Sequence, residues 1–272
     1  MNTYLKIFFI LLIASVLTAV SYKFTSKGLS KYYHHKHERV IEIFTGYTKY
    51  DILFIGSSRT HTAIIPKIID SITGLSSYNA GVDGGIMLDF KMTFDGYLLN
   101  HPSPALLVLT IDPASFNRTD TIYDPIQYFP IVGKNDAVKK VFAKMDYSTF
   151  ILKYIPALSY IYMDDNSKSM ALAGLWGKSE ILPGEFEDKG YLSNTDNCLD
   201  PVKYRKDSSN IAPVLSRINM FQAIIDICKS KNIQLIITYA PEYRYRFEGT
   251  IRNFNTFTDL MYEKVNANRL LF

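Results

Sequence analysis

The segment DILFIGSSRTH, Asp51 to His61, runs a short apolar strand into a glycine and two serines. A serine placed where a strand turns into a helix projects its hydroxyl from the sheet edge. The free N–H groups of the first helical turn beside it can hold a developing oxyanion. Gly56 permits the sharp turn. The pattern makes Ser58 a candidate nucleophile, while the ordinary reading of the same serines is a helix N-cap. Thr60 stands where the second glycine of a G-x-S-x-G elbow would be, so the α/β-hydrolase elbow is not present.

A serine needs a base, and the chain has 5 histidines. His61 lies one turn beyond Ser58 on the same helical face, with a ring expected to point along the helix and an ordinary reading as a surface residue. His101 opens a loop at the amino-terminal edge of the following strand, away from the serines. His34, His35 and His37 read as a solvated face beside Lys36 and Arg39, not a metal site. Asp112 and Glu242 fall at the same edge as Ser58 and could orient a substrate, although Asp-Pro and Pro-Glu also make turns. The pair Asp164-Asp165 reads as solvated surface. Cys198 and Cys228 lack metal-ligand spacing, and both a disulfide and two separate thiols remain open. No cofactor or metal is expected.

These residues belong to a chain of 272 residues, 47% hydrophobic and 21% charged, which suits one large domain. A net charge of +4 with interleaved acidic residues shows no basic stripe for nucleic acid. The 20 tyrosines and 17 phenylalanines could furnish a sugar-binding surface, or simply reflect a composition bias. From Asp51 onward, strand and helix patterns alternate. Strands are predicted over 52–55, at SSYN before the Gly81–Gly85 loop, over 105–111 and over 233–239, with a fifth opening at 269–272. Helices are predicted over 58–72 with a turn or kink at Pro66, then 87–99, 213–231 and 256–266. Strand-helix-strand spacing means a parallel α/β sheet with helices on both faces, and ligands bind such sheets at the carboxyl ends of the strands. Between 120 and 210 the rhythm breaks. That segment, with helical pieces at 147–162 and 170–176, is expected as an insertion over the strand edge.

At the amino terminus, Ile7 to Tyr22 is free of charge. An uncleaved single-pass signal-anchor over 1–23 is expected, against a cleaved signal peptide as the competing reading. Residues 24–49 read as a juxtamembrane stem. Lys23, Lys27 and Lys31 outweigh Lys6, which by itself would place the domain in the cytoplasm.

The series DILFIGSSRT, then YNAGVDGG, then LLVLTID resembles the SGNH (GDSL-like) hydrolase superfamily, and most of all its membrane-anchored cell-envelope branch of esterases and acyltransferases. The resemblance covers residues 50–116, and 213–272 by architecture only. It implies a three-layer, flavodoxin-like parallel-sheet domain over 50–272. It also implies Ser58 as nucleophile, the backbone N–H groups of Ser58 and Gly81 as oxyanion donors, and an exoplasmic (periplasmic) domain on the inner membrane. Ser57 stands where many members have Asp. The family's third block carries an asparagine donor, and here Thr110-Ile111-Asp112-Pro113 has none, leaving Asn79 and Asn117 as candidate substitutes. The family's Asp-x-x-His general base does not occur anywhere in the chain.

The implied function is a membrane-tethered serine esterase or O-acyltransferase acting on an acylated envelope glycan or polymer, alongside envelope-biosynthesis partner proteins. The alternative is a truncated or degenerate relative that binds a glycan or partner without catalysis, with an exposed sheet edge and poor solubility for residues 40–272. A nucleotide-binding use of the Gly81–Gly85 loop is disfavoured, because the loop has neither G-x-G-x-x-G nor a phosphate-binding Lys or Arg.

Overall fold

Apolar runs too short for helices, bounded by glycine and polar residues, become the strands of a parallel sheet. In the computed structural model, residues 3–116, 121–122, 124–145, 148, 151, 154, 162–180, 188–193, 212–240 and 254–268 are described. The helices and strands in chain order begin with α1 (Thr3–Tyr32), α2 (His34–Thr45), β1 (Ile52–Ile55), α3 (Ser58–Ala63), α4 (Pro66–Thr73) and β2 (Ser77–Asn79). They continue with α5 (Met87–Asn100), β3 (Leu106–Thr110), α6 (Asp136–Phe142), α7 (Asp165–Leu175), α8 (Leu215–Ser230), β4 (Gln234–Thr238) and α9 (Phe254–Asn268). The expected helix over 58–72 is two helices, because Pro66 cannot donate an interior hydrogen bond and sits instead at the first turn of α4. The expected strand at 269–272 and most of the expected helix at 147–162 fall outside the described residues.

The chain divides into two compact units, one of Met1–Thr45 with Asp124–Ile181 and one of Gly46–Tyr123 with Leu182–Phe272. The second holds the sheet, whose strands are all parallel in the order β2-β1-β3-β4. Alternation along the strands splits the core between two faces. Ile52, Phe54 and Val108 pack with Ile64, Ile69, Leu106 and Ile236 on one. Leu53, Ile55, Leu107 and Leu109, all at 0% exposure, point to the other. Helix α5 packs on α8 and β1, and α8 packs on β4. At the amino edge, Asp51 ties β1 to β2: its Oδ2 accepts from Ser76 N at 3.0 Å and Ser76 Oγ at 2.9 Å. His101 is likewise structural, stacked on Tyr97 at 4.2 Å with Nδ1 2.7 Å from the Thr48 carbonyl oxygen.

The helical unit begins with α1, which is long and apolar enough to cross a membrane; its first turns are exposed. Past the uncharged stretch, α1 stays helical to Tyr32 and packs along α7. A Cβ on Gly28 would fall 2.0 Å from the Ala171 carbonyl oxygen, and one on Gly174 would fall 2.0 Å from the Gly28 carbonyl oxygen. Only glycine lets the two backbones meet there. Asp164 caps α7, accepting from Ser167 N at 2.7 Å, and those hydrogen bonds from Ser167 hold its carboxyl below the usual range. Two partly or fully buried cations stiffen α2. Lys36 reaches Glu180 at 2.9 Å and Asp124 at 3.4 Å, and Arg39 donates to Gln127 Oε1 at 3.1 Å.

Three outcomes follow from this packing. Gly28→Leu is expected to separate α1 from α7 and lower the melting temperature of the full chain in detergent, the cost being at least the ~1–3 kcal/mol of an overpacked contact. Hydrogen bonds from the Ser76 N–H and hydroxyl hold the Asp51 carboxyl below its ordinary value. Its stabilisation is therefore complete above the unfolded value of about 4 and fades as pH falls through the lower folded value. Acid titration of Asp51→Asn should lack that component. Burial pushes the Cys228 thiol up to about 12, so the Cys228 peptide should resist alkylation at neutral pH until the chain is unfolded, read by mass spectrometry.

Candidate active site at the carboxyl edge of the sheet

With the order β2-β1-β3-β4, the chain leaves β1 toward β2 and returns on the other side to β3, so the topological switch point lies between the ends of β1 and β3. Gly56-Ser57-Ser58 follows β1, and Asp112 follows β3. Gly56 is required by space: a Cβ there would fall 2.0 Å from Thr60 Oγ1 and 2.8 Å from the Thr110 carbonyl oxygen. The two serines part company. Ser57, the residue before α3, makes no side-chain cap bond and instead donates from Oγ to Asp112 Oδ2 at 3.3 Å. Asp112 is held in turn by Ser115, whose N–H and Oγ lie 3.0 and 3.3 Å from Oδ1. Ser57 and Asp112 thus join the ends of the two central strands.

Ser58 is the first residue of α3 and half-buried. Among the described residues its hydroxyl has no hydrogen-bond partner. One turn on, His61 is not the surface residue its sequence position suggests: it is 4% exposed. Gly81 presses against it so closely that a Cβ on Gly81 would fall 2.6 Å from the His61 nitrogen. The His61 carbonyl accepts from Leu192 N at 3.0 Å. Its ring does not run along the helix into solvent; Nδ1 stands 3.1 Å from Asp83 Oδ1. With the Nδ1 proton directed at this carboxylate, the neutral imidazole would carry its lone pair on Nε2, the tautomer a general base needs, and Nε2 is buried.

Asp83 is the residue that sequence reasoning passed over. It lies in the glycine-rich loop after β2, and the only signal was an acidic residue among glycines at the strand edge. Asn79, at 0% exposure, is occupied: Nδ2 donates to the Thr60 carbonyl at 2.7 Å and the Ile64 carbonyl at 2.8 Å, and Oδ1 accepts from Gly81 N at 3.0 Å. The Gly81 amide therefore already has a protein acceptor. On the β4 side, the Arg59 guanidinium lies 5.9 Å from the Tyr239 ring centroid. Asn117 and Glu242 lie outside the described residues, as does Cys198. The structure brings Ser58, His61, Asn79, Gly81 and Asp112 to one edge, and adds Asp83.

Gly81→Ala should displace the His61 backbone and cost ~1–3 kcal/mol of stability, read as a lower urea midpoint. Removing the Ser57 hydroxyl in Ser57→Ala leaves the buried Asp112 carboxylate short of one donor, a loss of about 1–3 kcal/mol by the same measurement. No protein-family model matches this chain, and comparison with curated proteins finds no match either.

Proposed function

We propose that the chain is a membrane-tethered serine esterase or O-acyltransferase that acts on an acylated envelope glycan through a Ser58 acyl-enzyme. The observation that supports this most is the Asp83 carboxylate on His61 Nδ1, on the helix that Ser58 opens. In this reading, Ser58 Oγ attacks the ester carbonyl carbon while its proton passes to His61 Nε2. Asp83 stabilises the imidazolium. The tetrahedral intermediate collapses, the sugar oxygen leaves with the proton from His61, and the acyl group stays on Ser58. Water or another sugar hydroxyl, deprotonated by His61, then releases it. The backbone N–H groups of Ser58 and Gly81 receive the oxyanion, Gly81 shifting from Asn79 Oδ1 to do so. Ser58 and His61 are not hydrogen-bonded to each other here; such bonds commonly tighten only in the substrate complex.

The test is labelling by a fluorophosphonate serine probe. Labelling is expected on Ser58, absent in Ser58→Ala, and slowed roughly 10²- to 10⁴-fold in His61→Gln, the scale of general-base catalysis. A smaller loss is expected in Asp83→Asn. No labelling of a folded sample would favour a second reading, a non-catalytic glycan-binding relative, for which the Gly81 amide bound to Asn79 and the missing Asp-x-x-His speak.

We also read α1 as an uncleaved anchor. Leu17, Thr18 and Ser21 line one groove with α7, so processing near Ala19–Ser21 would remove part of that groove's wall. The resemblance to envelope enzymes supports an exoplasmic placement, and the lysine count after the span opposes it. An intact amino-terminal mass tests the first point. Protease protection in sealed vesicles tests the second, since a cytoplasmic placement would remove access to an envelope glycan.

A further inference from the structure

Beyond the uncharged stretch, α1 has three faces, and the fold covers two of them. One, with Thr25 and Gly28, lies on α7, with Phe24 exposed at its edge. A second, with Ser26, Leu29 and Tyr33, lines a crevice with Ile126 and Phe129 of the 3₁₀ segment Pro125–Ile131. The third carries Lys23, Lys27 and Lys31, spaced i, i+4, i+8, and all three are exposed. None of the three has an ion pair or hydrogen bond among the described residues. Lys36 and Lys168 of the same unit, by contrast, are paired, Lys36 with Glu180 and Asp124 and Lys168 with Asp165. The lysine row is therefore a surface of one sign that the unit itself leaves uncompensated, and it begins at the residue that ends the apolar run.

We propose that Lys23, Lys27 and Lys31 lie on anionic phospholipid headgroups, so that α1 tilts toward its lysine face and the bilayer sets the rotation of the helical unit about the α1 axis. This rests on the anchor reading above. Eight residues of helix separate Lys23 from Lys31, a rise of ~12 Å. A lysine that far from an upright helix's exit sits at or beyond the ~8–10 Å over which salt screens a charged surface. A tilt near the average for spanning helices, ~20°, toward the lysine face brings the row closer to the headgroups without burying any cation. The occupant is a lipid surface because the row continues directly from the apolar run, and its charge complements anionic headgroups. The packed faces cannot turn to the lipid without uncovering Gly28 or the crevice.

The experiment uses the full chain in vesicles of phosphatidylcholine, and of phosphatidylcholine mixed with phosphatidylglycerol. A membrane-impermeant amine-reactive reagent is added, and labelling of each lysine is read by mass spectrometry against exposed Lys67 as internal reference. At low salt, labelling of Lys23, Lys27 and Lys31 relative to Lys67 should fall several-fold in the anionic vesicles and recover at high salt. Equal labelling in the two lipids overturns the proposal. Protection that survives both zwitterionic lipid and high salt overturns it too, since it would mean that protein or acyl chains cover the row. Release of the chain from vesicles by alkaline extraction overturns the anchor reading itself, a failure separate from the labelling result.

Discussion

The buried amide of Asn79 holds the candidate site together. Its two N–H groups take the carbonyls of Thr60 and Ile64 at the end of α3, and its oxygen takes the Gly81 N–H. One side chain thereby fixes where the helix after β1 stops and how the loop after β2 departs. An unsatisfied polar group at 0% exposure would cost free energy, so the three bonds form together or the local packing is lost. Because α3 and the β2 loop are pinned to each other, Gly81 meets the His61 backbone and Asp83 meets the His61 ring. Loosen Asn79, and His61 has no reason to face Asp83.

The same edge shows two serines in adjacent positions with different duties. The backbone turn at Gly56 points Ser57 toward β3, where Asp112 receives it, and leaves Ser58 on the opening turn of α3. A side chain already engaged with a buried carboxylate is a tie between strands. A half-buried hydroxyl on the opening turn of α3, one turn before a histidine held on a carboxylate, is left free of such a tie. The chemistry proposed for Ser58 rests on this division and on the contact of Asp83 with His61 Nδ1.

In the helical unit the governing constraint is close backbone approach. Gly28 and Gly174 remove the side chains that would keep α1 and α7 apart, and α1 thereby continues as one helix from the apolar stretch into a packed unit. One face of α1 is used in this way and a second lines the crevice with Ile126 and Phe129, so the third is left to its lysines. Charge placement on this helix is a consequence of packing on its other sides.

Taken alone, the sequence determined the strands at 52–55, 77–79, 106–110 and 234–238, the helices at 87–100, 215–230 and 254–268, and the glycine-serine turn at the strand edge, each within a residue or two, whereas it read 58–72 as one helix, began the helix of 165–175 too late and did not mark that of 136–142. Those features are local: apolar period, turn chemistry and the missing N–H of Pro66 act over a few neighbouring residues. The burial of His61 was not legible, because a histidine one turn into a short polar helix carries no local sign of what will cover it. Only the tertiary structure decided that Ser57 meets Asp112, 55 residues away, and that His61 meets Asp83, 22 residues away. Parallel pairing aligns the carboxyl ends of β1, β2 and β3, and it is that alignment which brings residues distant in the chain within hydrogen-bonding reach.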